Sequence, residues 1–169
     1  VIVYAPNSFQ ESVGTAMNSV TPTSYAGTVD SYSVSPSLPS GIVLDTTTGT
    51  ISGTPTVVSS SATYTITATN SAGSDTATIT LEVNDVAPTS ITYSQSSFTL
   101  TKGTTMTTTT PTTTGGTVTT WSVSPSLPAG LSIASSDGAL SETPTAVTPQ
   151  ATYTITGTNT GGSVSTTIT

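Results

Sequence analysis

A tandem repeat constrains this chain more than any other feature of its sequence. The segment Tyr32–Gly41 returns as Trp121–Gly130, at an offset of 89 residues. With that offset and no gap, residues 1–80 align with residues 90–169, and half of the aligned pairs are identical. Self-similarity at a fixed period marks repeated structural units. The sequence therefore predicts two domains that share one fold.

Each repeat ends in apolar residues that alternate with polar ones. Tyr64, Ile66 and Ala68 share one face of a predicted strand, and the threonines between them share the other face. A similar alternation follows Gly73, along Ala77–Val83. Period two on both sides of a glycine turn predicts an antiparallel hairpin with one buried face and one solvated face.

The composition favours strands along the whole chain. Threonine makes up about a quarter of the 169 residues, and runs of strong helix formers are absent. About seven short strands per repeat, bounded by glycine and proline turns, are typical of a β-sandwich. We therefore expect an all-β fold of two tandem antiparallel β-sandwiches, with no helix longer than about one turn.

The threonine-rich segment 107–120 has two interpretations. By composition alone it resembles a low-complexity linker. In the repeat register, however, it aligns without insertion on residues 18–31, with Pro111 on Pro22. We therefore favour a strand, a turn and the start of a further strand over a linker.

The same register places the domains and their cores. We expect one sandwich at residues 1–85 and another at 90–169, joined by a short linker at 86–89 in which Pro88 sets the joint. A linker of this length and stiffness does not let two domains tumble freely. The predicted core residues are Tyr64, Ile66, Ile79 and Leu81 in the first domain, and Trp121, Tyr153 and Ile155 in the second.

Charge and missing residue types exclude several functions. The net charge is −7 and Lys102 is the only basic residue, so the chain cannot neutralise the phosphates of a nucleic acid. Cysteine and histidine are absent, which excludes disulfides, thiolate metal sites and Ser-His or Cys-His nucleophiles. No apolar run approaches the length of a membrane span. We expect no enzymatic activity, no catalytic residue and no cofactor.

The turn motifs carry a family resemblance. Leu38–Ile42, Asp45–Thr56 and Tyr64–Asn70 together look like the immunoglobulin-like repeats found in tandem on large bacterial surface and secreted proteins. The second repeat matches as well, except that Glu142 stands where the first has Gly53. The resemblance implies two immunoglobulin-like β-sandwiches in an extracellular protein, either secreted or on a cell surface.

Those repeats are in turn similar to cadherin domains, whose linkers help to bind calcium. Leu81–Pro88 resembles such a linker, and the resemblance offers Glu11, Asn84 and Asp85 as ligands. Calcium takes six to eight oxygen ligands, several of them from carboxylates. Other acids of the cadherin pattern are missing, since Asn70 stands where one of them is expected. We therefore favour a solvated linker and no metal site.

Two further groups of residues could in principle carry chemistry. Asp137 and Glu142 are the only acids of the second repeat, and a carboxylate pair is what glycoside hydrolysis requires. Lys102, Asn159 and Glu142 are the residue types of an internal isopeptide bond. Asn159 aligns with Asn70, however, which faces no lysine. We favour a turn role for this asparagine and no crosslink.

A structural role is the function that these observations favour. We expect a spacer or the building block of a fibre, whose partners are other copies of itself or neighbouring repeats, end to end. The alternative is an adhesive or carbohydrate-binding module with exposed aromatic residues. For that role Tyr25 is the surface candidate, and Trp121 would be a ligand platform instead of a core residue.

Two terminal segments bear on assembly. Val1–Tyr4 is apolar and is a candidate for a strand lent to another copy. In the repeat register Thr169 aligns with Thr80, so the second repeat has no counterpart of Leu81–Val83. We expect a bare apolar edge at that place, because these residues end the closing strand of the first repeat.

Overall fold

The fold is described by a computed structural model for residues 1–24 and 27–169. The chain divides into two compact units, Val1–Asn84 (unit 1) and Asp85–Thr169 (unit 2). The described residues form strands and turns and no helix. The predicted all-β fold is therefore confirmed.

Unit 1 places most of its strands in one sheet. In order along that sheet stand β2, β8, β7 and β4, while β1 pairs with β3 and β5 pairs with β6. The strand bounds are β1 Ile2–Val3, β2 Ser8–Ser12, β3 Thr23–Ser24, β4 Ser31–Ser35, β5 Ile42–Leu44, β6 Ile51–Gly53, β7 Ser59–Asn70 and β8 Gly73–Asn84. The buried core draws on both groups of strands, including Ile2, Ile51 and Ile66.

The β7–β8 hairpin follows the predicted alternation. Tyr64 lies opposite Ile79, and Ile66 lies opposite Ala77. Tyr64, Ile66, Ile79 and Leu81 are all buried, whereas the threonines between them are exposed or half-buried on the other face. All four core residues predicted for the first domain are therefore confirmed.

One strand pair departs from the predicted antiparallel arrangement. β2 runs parallel to β8, with Phe9 opposite Leu81 and Glu11 opposite Val83. Alternation specifies which face of a strand is buried, and it is the same for either strand direction. No hairpin joins β2 to β8, so no tight turn forces them to be antiparallel.

Unit 2 repeats this plan without a counterpart of β2. The strand bounds are β9 Pro88–Thr92, β10 Thr112–Gly115, β11 Thr120–Ser124, β12 Leu131–Ile133, β13 Leu140–Glu142, β14 Tyr153–Asn159 and β15 Gly162–Ile168. β11, β14 and β15 form one sheet in that order, while β9 pairs with β10 and β12 pairs with β13. The strand, turn and strand predicted within residues 107–120 are confirmed, since β10 and the start of β11 lie there.

The core of unit 2 is more open than that of unit 1. Ile155 is fully buried, as predicted. Trp121 and Tyr153, also predicted as core residues, pack against the buried cluster but are only half-buried. Their counterparts Tyr32 and Tyr64 are 7% and 5% exposed.

A buried tyrosine ties the first strand of each unit to a distant turn. The Tyr4 hydroxyl donates a hydrogen bond of 2.6 Å to the carbonyl oxygen of Gly49, and Tyr93 does the same to Gly138. Both glycines have φ of +72°. A Cβ on Gly49 would lie 2.7 Å from the Tyr32 ring. Both the φ angle and the aromatic contact therefore require glycine in this turn.

The N-terminal segment is paired within its own unit. Ile2–Val3 forms β1 against β3, and Ile2 and Tyr4 are 5% and 3% exposed. The Val1 ammonium lies 3.4 Å from the Asp75 carboxylate. The hypothesis that Val1–Tyr4 is a free strand for another copy is therefore wrong, because the segment pairs with β3 and its Ile2 and Tyr4 side chains lie in the core of unit 1.

The residues predicted as a linker make contacts inside unit 2. Pro88 is buried at the start of β9, and the Ala87 carbonyl accepts a hydrogen bond from the Gly116 N–H. The predicted boundaries at 85 and 90, and the role of Pro88 in setting the joint, stay predictions.

The two faces of β7 predict very different costs of truncation. Tyr64→Ala removes a buried aromatic side chain and should lower the free energy of unfolding of unit 1 by about 3–5 kcal/mol. Thr65→Ala, on the outer face, should change it by less than about 0.5 kcal/mol. Urea denaturation followed by tyrosine fluorescence measures both. Equal losses would show that the strand faces are assigned wrongly.

Buried tyrosines predict a loss of stability in alkaline solution. Burial, and secondarily the negative charge of Asp137, raises the pKa of Tyr93 to about 12, while an unfolded chain releases this proton near pH 10. Between these values the folded state holds a proton that the unfolded state has lost. The free energy of unfolding of unit 2 should therefore fall from about pH 10 to 12. Tyr93→Phe should reduce this pH dependence, and an unchanged slope would contradict the assignment.

Candidate functional site

Asn159 is a buried polar residue that holds a backbone junction in unit 2. Its side chain is 6% exposed. The Nδ2 group donates to the carbonyls of Val86 and Thr117 at 2.8 and 3.0 Å, and Oδ1 accepts from the N–H groups of Gly161 and Gly162 at 2.8 and 3.1 Å. The amide is fully used in structural hydrogen bonds, which confirms the predicted turn role.

Its counterpart in unit 1 holds a similar turn. The Asn70 Nδ2 group donates to the Thr28 carbonyl at 2.8 Å, and Oδ1 accepts from the Ala72 N–H at 2.9 Å. An asparagine at this position therefore joins two loops in each unit. This geometry stabilises the fold and leaves the amide no reactive partner.

The acidic turn residue Asp45 is also structural. Its carboxylate accepts hydrogen bonds from the backbone N–H groups of Thr47 and Thr48 at 2.8 and 2.9 Å. The N–H of Thr48, followed by that of Thr47, lowers the pKa of Asp45. In unit 2 Ala134 takes this position, and the same backbone hydrogen bonds close the turn. The turn therefore forms without the carboxylate, and the hydrogen bonds of Asp45 account for its position without a bound metal ion.

Of the residues considered as calcium ligands, Glu11 and Asn84 lie near the shared end of β2 and β8, and Asp85 follows Asn84 in the chain. Glu11 lies in β2 opposite Val83, and burial raises the pKa of its carboxyl group. Asn84 ends β8, opposite Ser12. Asp85 opens unit 2, where its N–H donates to Thr160 Oγ1 at 2.8 Å. Within residues 1–24 and 27–169 no three acidic side chains cluster in a way that could hold a metal.

The structure does not bring together the three residues of the hypothetical isopeptide bond. Lys102 and Tyr153 line the same cavity. Tyr153 is the first residue of β14, and Asn159 is the last. Six residues of strand span roughly 20 Å. A direct bond between the Lys102 and Asn159 side chains is therefore excluded by distance, as well as by the hydrogen bonds of Asn159.

The two acids of the second repeat are placed by the β12–β13 hairpin. Asp137 Oδ1 accepts from the Ala139 N–H at 3.0 Å and so stabilises the turn. Glu142 ends β13 opposite Leu131, with φ of +89° where Gly53 has +132°. Asp137 is therefore occupied within its turn, and Glu142 keeps a backbone conformation that its glycine counterpart adopts with less strain.

Aromatic side chains of the described residues lie against the two cores. Trp121 packs over Gly138, where a Cβ would lie 2.6 Å from the indole ring. This contact supports the core role of Trp121 over a ligand platform. Tyr25, the predicted surface aromatic, lies outside the described residues.

Unit 2 contains a cavity of about 290 Å³ lined by both apolar and polar residues. It lies beside the start of β14 and the end of β15. Its walls include Phe98, Leu100, Met106, Tyr153 and Ile168, together with the only lysine, Lys102. We call it the unit 2 groove. The bare apolar edge that the repeat register predicted beyond Thr169 stays a prediction.

Matched residues show that this groove is an opening in the core. Phe9, Met17 and Tyr64 of unit 1 are 7%, 6% and 5% exposed. The corresponding Phe98, Met106 and Tyr153 are all half-buried. The same three side-chain types at the same places in the fold are therefore less covered in unit 2.

A family model places both units in one family. The model described as "Putative Ig domain" matches residues 1–84 and again residues 87–169. The chain belongs to this immunoglobulin-domain family. The resemblance seen in the turn motifs is therefore confirmed, and so are two tandem immunoglobulin-like sandwiches.

Several solved structures are similar to nearly the whole of this chain, and one of them, with a TM-score above 0.5, supports the immunoglobulin-like fold. The N-terminal four Ig domains of Dscam1 isoform 9.44 match with a TM-score of 0.52 and 16% identity, over 99% of this chain and 44% of that one. Domains 3–5 of Drosophila OTK match with a TM-score of 0.49 and 18% identity, over 99% and 60%. The immunoglobulin-domain chain thus spans about half the length of these structures. Human protocadherin-24 EC1-2 matches at 0.43 and 15%, over 99% and 95%.

Two further findings concern related sequences and membrane-spanning helices. No curated protein sequence matches this immunoglobulin-domain chain. Among the residues that the structure describes, none belongs to a helix long and apolar enough to cross a membrane.

Two walls of the unit 2 groove, Tyr153 and Lys102, were named from the sequence, but as a core residue and as part of a hypothetical crosslink. Phe98, Leu100 and Met106 were not singled out as site residues. Single residues such as Phe98 and Met106 carry no signal of their own, since they align with Phe9 and Met17 of the closed core. Only the repeat register, extended to the residues packed around Leu81, could have identified them.

The lack of a cluster of three acidic side chains within residues 1–24 and 27–169 predicts that stability is indifferent to calcium. A site filled at a hundredfold its dissociation constant would stabilise the protein by roughly 2.7 kcal/mol. We expect no change in melting temperature when calcium or a chelator is added, for the wild-type chain and for Glu11→Gln alike. Calorimetry that shows a shift of several degrees, abolished by Glu11→Gln, would establish a site.

Proposed function

We propose that this chain is a non-enzymatic structural repeat of an extracellular bacterial surface protein or fibre, acting as a spacer or polymer building block. The proposal rests on one observation, which is that the polar side chains of the chain are engaged in structural hydrogen bonds. Asp45, Asn70 and Asn159, where chemistry would be sought first, all hold backbone turns through hydrogen bonds. The partners would be copies of itself or neighbouring repeats, placed end to end.

Sheet pairing supports a mechanical role. β7 and β8 pair along most of their twelve residues each, and their buried faces hold Ile66, Ile79 and Leu81. Stretching such a unit requires many backbone hydrogen bonds to break together with the exposure of its core. Few charges and outer faces of threonine and serine suit a repeat that stands in an extracellular medium.

Force spectroscopy tests the spacer role. Pulled from its two termini, the chain should give two separate unfolding events, each releasing up to roughly 29 nm, because extended residues span about 3.4 Å. Ile66→Ala and its counterpart Ile155→Ala form a matched pair, since both residues are fully buried. Each variant should weaken one event and leave the other unchanged. A chain that extends smoothly at low force would contradict a mechanical role.

The alternative is an adhesive or carbohydrate-binding module. Such modules present exposed aromatic rings, whereas the aromatic residues within 1–24 and 27–169 are buried or half-buried. A glycan array separates the two functions. The spacer role predicts no binding by the wild-type chain, and binding that Tyr25→Ala abolishes would establish the alternative.

A further inference from the structure

Unit 2 contains a run of threonines that its fold does not require. Residues 107–114, which we call the threonine segment, comprise seven threonines and one proline. In unit 1 the aligned positions begin with asparagine, serine and valine instead. Both segments nevertheless make the same backbone bridge, because Thr109 pairs with Leu140 as Val20 pairs with Ile51. The structure at this place therefore forms without threonine, and the run of threonines has no structural explanation.

Most hydroxyl groups of the threonine segment are free. Thr109 is half-buried, and its hydroxyl donates to the Thr107 carbonyl at 3.2 Å. The Thr114 hydroxyl pairs with those of Thr89 and Ser90 at 2.9 and 2.6 Å. The other threonine side chains of the segment are exposed, and within the described part of the chain their hydroxyls make no hydrogen bond; they are Thr107, Thr108, Thr110, Thr112 and Thr113.

The backbone of the segment is extended and accessible. Residues 107–111 contain no turn, and β10 follows them with all four of its residues exposed. β10 pairs with β9 on one side, and no other strand of the described residues covers its second edge. Charged side chains commonly keep such an edge from pairing with other chains. Here they are absent, since no charged residue stands between Lys102 and Asp137.

We propose that the threonine segment is a site of O-linked glycosylation. Segments rich in threonine with proline are typical acceptors of O-linked sugars. In the transfer, a threonine Oγ1 forms a bond to the anomeric carbon of a sugar, and the bond from that carbon to the phosphate of an activated sugar donor breaks. The donor phosphate leaves with the electron pair of the broken bond. The hydroxyl proton passes to a base of the transferase.

The geometry separates acceptors from non-acceptors. The five exposed threonines with free hydroxyls accept sugar, whereas Thr109 does not, because it is half-buried and its hydroxyl is engaged. Thr112 and Thr113 are neighbours in β10, so their side chains point to opposite faces. Bulky sugars there cover both sides of the open edge strand. The proposal rests on the extracellular location of the proposed function and is independent of its mechanical role.

Mass spectrometry of the protein isolated from its natural source tests the site. Cleavage after lysine and after acidic residues frees residues 103–137 as one peptide, because the flanking Lys102 and Asp137 are the nearest charged residues. This peptide should be heavier than its sequence by one or more sugar residues, which alkaline β-elimination removes. Fragmentation should place them on the exposed threonines. An unmodified peptide, sugars only outside residues 107–113, or phosphate in place of sugar would overturn the proposal.

Variants produced in the same source then identify the acceptors. Replacement of the five exposed threonines by alanine should remove all sugar from the peptide 103–137. The matched control is Thr109→Val, which copies Val20 of unit 1 and should leave the sugar unchanged. Sugar that remains on the fivefold variant, or that is lost from Thr109→Val, would overturn the assignment. The measurement on the natural protein does not depend on the folding of either variant. Force spectroscopy of the unmodified chain tests the mechanical role separately, so the two proposals can fail independently.

Discussion

A buried hydroxyl contact fixes the arrangement of each unit. The Tyr4 and Tyr93 hydroxyls reach carbonyls 45 residues away, at Gly49 and Gly138. The contact ties the first strand of a unit to the turn of a later hairpin, and it leaves no polar group of the tyrosine unpaired in the core. The turn can form this contact because a glycine lies against an aromatic ring at a positive φ. The Asp45 carboxylate in the same turn is replaceable, since Ala134 leaves the backbone hydrogen bonds in place.

Local patterns predicted the faces of strands well, because burial of alternate residues leaves a period of two in the sequence. The assignment of Tyr64 to the core and of its threonine neighbours to the surface follows from that period alone. The direction of β2 could not be predicted, since the period is the same for a parallel and an antiparallel neighbour. The pairing of Val1–Tyr4 was also missed, because an apolar segment gives no sign of which partner covers it.

The candidate site was harder to predict than the fold for a related reason. Residue types indicate which chemistry is possible, but the fold determines whether the residues lie close enough to react. Lys102 and Asn159 lie near opposite ends of β14, so the chemistry that their types allow has no geometry to act in. Asn159 itself was predicted correctly as a turn residue, because its alignment with Asn70 supplied a second observation of the same position without a lysine.

The repeat provides an internal control on what closes an immunoglobulin-like core. Phe98, Met106 and Tyr153 are chemically identical to their counterparts in unit 1, so their greater exposure cannot arise from the side chains themselves. In unit 1 Leu81–Asn84, the end of β8, lies between β2 and β7. Leu81 and Val83 are both 0% exposed and belong to the buried core cluster, and the backbone of this segment pairs with β2. In unit 1 the end of the closing strand therefore contributes both to the buried core and to the pairing of the edge strand beside it.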